Sequence, residues 1–139
     1  MYTLLLLYIA CSSVKVYEWP DVNMTYTVIC VFGTVSDIRL VGGSGSHEGR
    51  VEVYHNGTWG TVCDDDWNLQ DATVVCRQLG YFNATVALGS TRFGAGSGPI
   101  LFSELACIGK ESIITECHHL LTGVHNCTHS EDVGVVCEG

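Results

Sequence analysis

Three consecutive carboxylates, Asp64, Asp65 and Asp66, follow directly on Cys63 and precede Trp67. Side by side they repel one another unless they are solvated or share a cation. Hard cations such as Ca2+ take roughly six to eight oxygen ligands, which adjacent carboxylates and carbonyls begin to supply. This run is the best candidate in the chain for chemistry with a ligand. Cys63 is also the first of six cysteines, with Cys76, Cys107, Cys117, Cys127 and Cys137, packed between residue 63 and the C-terminus. An even set at this density marks a disulfide-stapled extracellular domain, although six cysteines alone permit fifteen pairings.

Other chemistries fit less well. His118, His119, His125 and His129 cluster near Cys117 and Cys127 and invite a zinc reading. Zinc thiolates and disulfides exclude one another, and there is no His-Glu-x-x-His helix. Solvated loop histidines are the plainer reading, with a pH-sensitive loop the next. Ser44, Ser46 and Ser97 sit in Gly-rich segments without the strained turn of a nucleophile elbow, so no catalytic group emerges and the chain does not read as an enzyme. Trp59 and Trp67 could be ligand platforms but read first as buried aromatics. The net charge is −9, and the six basic residues, Lys15, Arg39, Arg50, Arg77, Arg92 and Lys110, are never adjacent. Nucleic-acid binding is therefore excluded, because its affinity comes from neutralising phosphates. An acidic surface suits cationic partners or divalent metals.

At 139 residues and 47% apolar composition the chain holds one domain with a real core plus staples, preceded by extra N-terminal chain. Residues 1–13, with Leu4 to Ala10 apolar and small residues after, read as a signal peptide. The run is too short to span a bilayer, as is the second apolar run from Tyr26 to Val35, so no transmembrane segment is expected in this chain. Four Asn-x-Ser/Thr sequons, at Asn23, Asn56, Asn83 and Asn126, agree with a secreted glycoprotein. Residues 14–36 show no clean period and read as a leader or linker, with the domain proper at 37–139.

Within that domain, Asp37 to Val41 alternates as a strand should, and Gly42 to Ser46 is a flexible loop. Arg50–His55 and Thr58–Cys63 flank Asn56-Gly57, the strongest short hairpin signal. Asn68 as N-cap, Asp71 three residues on and Gly80 at the far end bracket an amphipathic helix over 69–79, with Cys76 on its buried face. Gly89 to Gly98 is loop, while Ile100–Phe102 and Val133–Cys137 are short strands. Many short strands and one helix give a β-rich α+β domain.

Read in order, Val51-Glu52-Val53-Tyr54, Gly57-Thr58-Trp59-Gly60-Thr61-Val62-Cys63-Asp64-Asp65, Ala72 to Tyr81, Gly96-Ser97-Gly98-Pro99-Ile100, Cys117 and Glu131 to Cys137 closely resemble the scavenger receptor cysteine-rich (SRCR) domain of the six-cysteine group A type. The match covers about Ile38 to Glu138. The resemblance implies a curved antiparallel sheet cradling one helix, with bridges Cys63–Cys127, Cys76–Cys137 and Cys107–Cys117. Some members carry a further bridge near Ser46–Glu48 and Tyr81, and both of its cysteines are absent here. Cys11 and Cys30 lie outside the family pattern. If Cys11 leaves with a signal peptide, Cys30 is an odd thiol, either free or pairing between chains.

The implied Cys63–Cys127 bridge would bring Glu131 and Asp132 beside Asp64 and Asp65. In metal-binding members, a first Ca2+ site resembles Asp64, Asp65 and Glu131, and a second, weaker here, resembles Asp65, Glu104 and Asn126. Glu104 stands where Asp is more usual, and a glycan on Asn126 would remove that ligand. Many members also use a basic cluster for polyanions. Only Arg50, Arg77 and Arg92 are candidates to converge here, so direct polyanion recognition should be weaker than the family suggests. The functional expectation is an extracellular module binding protein, polyanionic or microbial-surface ligands, assisted by Ca2+. The alternatives are an adhesive domain from a larger membrane receptor and an accessory domain of a secreted protease or oxidase.

Overall fold

The computed structural model describes residues 14–19, 24–30 and 37–139, the first two segments as backbone only. The chain divides into two compact units at residues 35 and 36. In the first unit, β1 (Val14–Trp19) pairs antiparallel with β2 (Met24–Cys30), so the stretch read as linker contains a two-stranded ribbon. The proposed signal peptide, Cys11, Asn23 and the side chain of Cys30 lie outside the described residues.

The second unit is built on β3 (Ile38–Gly42), β4 (Glu48–His55), β5 (Thr58–Val62), α1 (Leu69–Gln78), β6 (Asn83–Leu88), β7 (Ile100–Phe102) and β8 (Gly134–Glu138). Asn56 and Gly57 take φ of 49° and 81°, the positive values that a type I′ turn requires at both central positions, and the β4–β5 hairpin follows. One edge of β4 carries β3, from Ile38 opposite Val53 to Gly42 opposite Gly49. Its other edge is shared: β8 pairs with the first half and β5 with the second. β6 extends the sheet beyond β8, antiparallel to it. β7 joins β5 in parallel, because the chain reaches it by a long crossover through α1 and β6. The sheet is therefore curved and mixed, with one parallel pair among its ladders.

α1 starts where the sequence signals place it. The Asn68 side chain accepts from the N–H groups of Gln70 and Asp71, and Asp71 Oδ2 accepts from Asn68 N–H at 2.9 Å in return. Asp71 is fully buried, and its Oδ1 accepts from Cys107 N–H at 2.7 Å. Burial pushes its carboxyl above the usual carboxylate range despite those donors. Leu79 is the C-cap and Gly80 follows at φ 96°.

Alternation along β4 separates two faces. Val51 and Val53 point inward to Val62, Val133, Val135 and the helix residues Ala72, Val75 and Cys76, all fully buried. Arg50, Glu52 and Tyr54 point the other way, and the loop 89–98 lies over part of that face. Arg50 Nη1 donates to Gly94 O at 2.9 Å, and Phe93 packs so closely on Gly134 that a Cβ there would collide with its ring. The domain is thus covered by a helix on one face and by a fastened loop on the other. Among the described residues the bridges are Cys63–Cys127, Cys76–Cys137 and Cys107–Cys117, the pairing that the family resemblance implies.

Candidate functional site

Residues 63–66 leave the end of β5, and residues 126–132 enter β8 through a 3-10 turn at His129–Glu131. The bridge Cys63–Cys127 and the backbone join these segments. Cys63 pairs with Asp132 as an isolated β-bridge, and Asp64 N–H donates to Glu131 O at 2.8 Å. Acids 66 residues apart are thereby held around one sulfur: Cys63 Sγ has a carboxylate oxygen of Asp64, of Asp65 and of Glu131 within 4.8 Å. Among the described residues, each carboxylate keeps one oxygen without a hydrogen-bond partner. Asp64 Oδ2 accepts from Ser90 N–H at 2.8 Å, and Glu131 Oε2 accepts from Thr128 N–H at 2.8 Å in a capping box. Asp65 Oδ2 approaches Cys127 Sγ at 3.5 Å. These free oxygens suit a hard cation, and Asp64, Asp65 and Glu131 are the residues that would hold it. Among the described residues, however, Glu131 is not gathered with Asp64 and Asp65 inside one 4.8 Å group, so rotation of its side chain off Thr128 would have to close the set.

Asp132, next in line, is turned inward instead. It is 1% exposed, accepts from Gly96 N–H at 2.7 Å and faces His129 Nδ1 at 2.9 Å, so it fastens the 89–98 loop rather than facing a ligand. His129 Nε2 reaches Gly98 O at 2.8 Å from the same position. Of the second proposed set, Glu104 and Asn126 are exposed on loops flanking the same bridge, with Ser103 Oγ 3.6 Å from Cys127 Sγ. Neither side chain hydrogen-bonds to the described residues, and Glu104 has a φ of 53°.

Of the remaining clustered histidines, His118 is exposed and the other two are engaged separately. His119 packs edge-on against Phe102 at 4.6 Å, and His125 Nδ1 accepts from Cys127 N–H at 3.1 Å. Trp67 packs against the core with its indole N–H buried and unpartnered, while Trp59 lies under the guanidinium of Arg39 at 4.0 Å and beside Tyr54. Tyr81 Oη donates to Ser46 Oγ at 3.4 Å, so the segments that carry a further bridge in some SRCR domains are neighbours here through hydroxyls.

Arg50 and Arg77 are engaged at separate places. Arg50 forks onto Glu52 Oε2 at 2.8 and 3.0 Å, and Arg39 forks onto Glu52 Oε1 at 2.6 and 2.8 Å. Burial raises the Glu52 carboxyl, but the hydrogen bonds from Arg39 and Arg50 outweigh it and hold the group below its ordinary value. Arg77 lies on the far side of α1, donating to Gly109 O at 2.5 Å. Arg92 is exposed and directly precedes Phe93, whose carbonyl accepts from Arg50 Nη1 at 3.3 Å. Sequence reasoning missed the Arg39–Glu52–Arg50 triad, although the strand period already puts Arg50 and Glu52 on one face. What it lacked was the register that sets Arg39 opposite Glu52.

The family model for the scavenger receptor cysteine-rich domain matches residues 41–138, and the chain belongs to that family. Galectin-3-binding protein of Mus musculus is 55% identical over 101 residues, covering 73% of this chain and 18% of that protein. Macrophage scavenger receptor types I and II of Bos taurus is 55% identical over 100 residues, covering 72% and 22%. The chain thus spans about a fifth of these relatives. Among solved structures, the third SRCR domain of murine neurotrypsin superposes with TM-score 0.69 at 48% identity over 75% of this chain and 97% of that one. The dimeric form of the SRCR domain of mouse MARCO gives 0.62 at 48% identity over 72% and 93%. SRCR domains are extracellular modules, secreted or in receptor ectodomains. No helix among the described residues is long and apolar enough to cross a membrane.

Proposed function

We propose that this domain is a non-enzymatic ligand-binding module of scavenger-receptor type that takes protein or polyanionic ligands with a Ca2+ ion held by Asp64, Asp65 and Glu131. One observation carries the reading: carboxylate oxygens of Asp64, Asp65 and Glu131 gather within 4.8 Å of Cys63 Sγ, while three of the domain's four arginines are already engaged. Arg39 and Arg50 are spent on Glu52 and Arg77 on backbone carbonyls. A chain of net charge −9 meets an anionic ligand most readily through a cation whose coordination the protein leaves incomplete. The carboxylates hold the ion, and the bridge keeps the two acidic segments at a fixed separation. The ligand supplies the remaining oxygens. The relatives named as macrophage scavenger receptors support this class of function. That the chain covers only about a fifth of its relatives favours, as a second reading, an adhesive module within a larger receptor.

The test is capture on dextran sulfate beads with Ca2+ or with EGTA. Capture is expected to weaken by about tenfold or more in EGTA, the equivalent of losing roughly 1.4 kcal/mol of binding. Capture indifferent to the chelator would contradict the cation-assisted mechanism.

A further inference from the structure

The three bridges differ in what can reach them. Cys76 and Cys137 are 0% and 3% exposed, and Cys107 and Cys117 are 6% and 4%. Cys63 is 1% exposed, but its partner Cys127 is half-buried, so among the six bridging cysteines Cys127 is the most exposed. A thiolate attacking from solution comes most readily to Cys127 Sγ. On its way it meets Asp65 Oδ2, 3.5 Å from Cys127 Sγ, and a carboxylate oxygen of Glu131 within 4.8 Å of it. The group displaced is Cys63 Sγ, which would carry its new negative charge with Asp64, Asp65 and Glu131 all within 4.8 Å. Attacking and leaving sulfurs both become more negative in the same acidic enclosure, which raises the barrier for any thiol and most for an anionic one.

The geometry points to Cys63–Cys127 as the bridge of this domain that solution thiols open, with Asp64, Asp65 and Glu131 as an electrostatic guard that turns anionic thiols away and admits cationic ones. The first thiolate bonds to Cys127 Sγ as the Cys63–Cys127 bond breaks, and Cys63 leaves as a thiolate that takes a proton from water. A second thiol attacks the mixed disulfide, frees Cys127 and leaves as the oxidised small-molecule disulfide. Two electrons thus pass from two small thiols to the bridge. Opening it releases residues 126–132 from residues 63–66, the two halves of the acidic site. The guard does not depend on a metal being bound there.

The test runs on the full chain in EGTA, so that cation binding is not a variable. Reduction by glutathione, an anionic thiol, is compared with reduction by cysteamine, a cationic one. Each rate is divided by the same thiol's rate on hydroxyethyl disulfide, which removes differences in nucleophilicity. Alkylation and peptide mass spectrometry locate the opened cysteines. Cys63 and Cys127 are expected to label first, and the normalised preference for cysteamine at low salt should be roughly tenfold. Asp65→Asn, which removes one guard charge and no hydrogen bond to the described residues, should cut that preference by about threefold. High salt should shrink it in the unmutated chain as well, which keeps the test intact if the variant folds poorly. A preference near one, a preference that ignores both salt and Asp65→Asn, or another bridge opening first would overturn the proposal.

Discussion

Replacing Cys76 and Cys137 together by alanine should cost this domain more stability than losing either of the other bridges. Their separation of 61 residues closes a long loop, for which the chain-entropy model gives about 4 kcal/mol. Both sulfurs are buried between α1 and β8, so their loss also leaves a void worth about 1 kcal/mol more. That sum takes a large share of the roughly 5–15 kcal/mol that holds a typical domain together. Thermal unfolding followed by circular dichroism should show the midpoint falling by about 20 °C, or no folded protein at all. The pair Cys107 and Cys117 is the control, since its separation of 10 residues gives closer to about 3 kcal/mol. Cys63–Cys127 spans 64 residues but packs at the edge of the core, so it carries the loop effect without the same void. A smaller drop for the Cys76–Cys137 pair than for the Cys107–Cys117 pair would contradict the view that this bridge locks the helix to the sheet.

The second large effect is expected at Glu52. Its carboxylate is 6% exposed and receives both guanidinium groups, so Glu52→Ala strands Arg50, whose side chain is only 11% exposed. An uncompensated buried charge of this kind costs about 3–5 kcal/mol. Arg39 is 47% exposed, so its half of the triad adds little beyond about 1 kcal/mol. Glu52→Gln isolates the charge and gives a pH signature. The folded carboxyl lies below its ordinary value of 4.5, so its contribution is complete above that pH and is lost as pH falls through the lower folded value. Asp71 runs the opposite way: its raised value means that its contribution falls as pH rises through the folded value, above 3.8. The difference between wild type and Glu52→Gln therefore reads Glu52 alone. In urea unfolding, that difference should shrink as pH falls below 4.5. A difference constant with pH would show that the pair with the arginines contributes nothing through charge.

What could be read from the sequence was local. Asn56-Gly57 dictates its own turn, and Asn68, Asp71 and Gly80 bracket α1 within a single segment, so these elements stand where their residues place them. The cysteine pairing came from the resemblance to a family and not from spacing, because nothing in the spacing chooses among the pairings. β6 was missed: Asn83–Leu88 has no clean alternation and becomes a strand by pairing with β8, some 50 residues on. The buried acids were illegible for the same reason. Asp132 and Glu52 look like surface charges until the distant 89–98 loop and β3 supply their donors. Asp64, Asp65 and Glu131 were legible as residues, but the sequence could not show that Glu131 would be turned to cap Thr128.

The proposed function requires that the staple and the carboxylates form one cation site. Calcium titration calorimetry on the wild type and on Asp65→Ala tests this most directly. The predicted result is a saturable heat in the wild type that is lost in Asp65→Ala, with both proteins showing the same thermal unfolding in EGTA. No heat in the wild type, or the same heat in both, would contradict it.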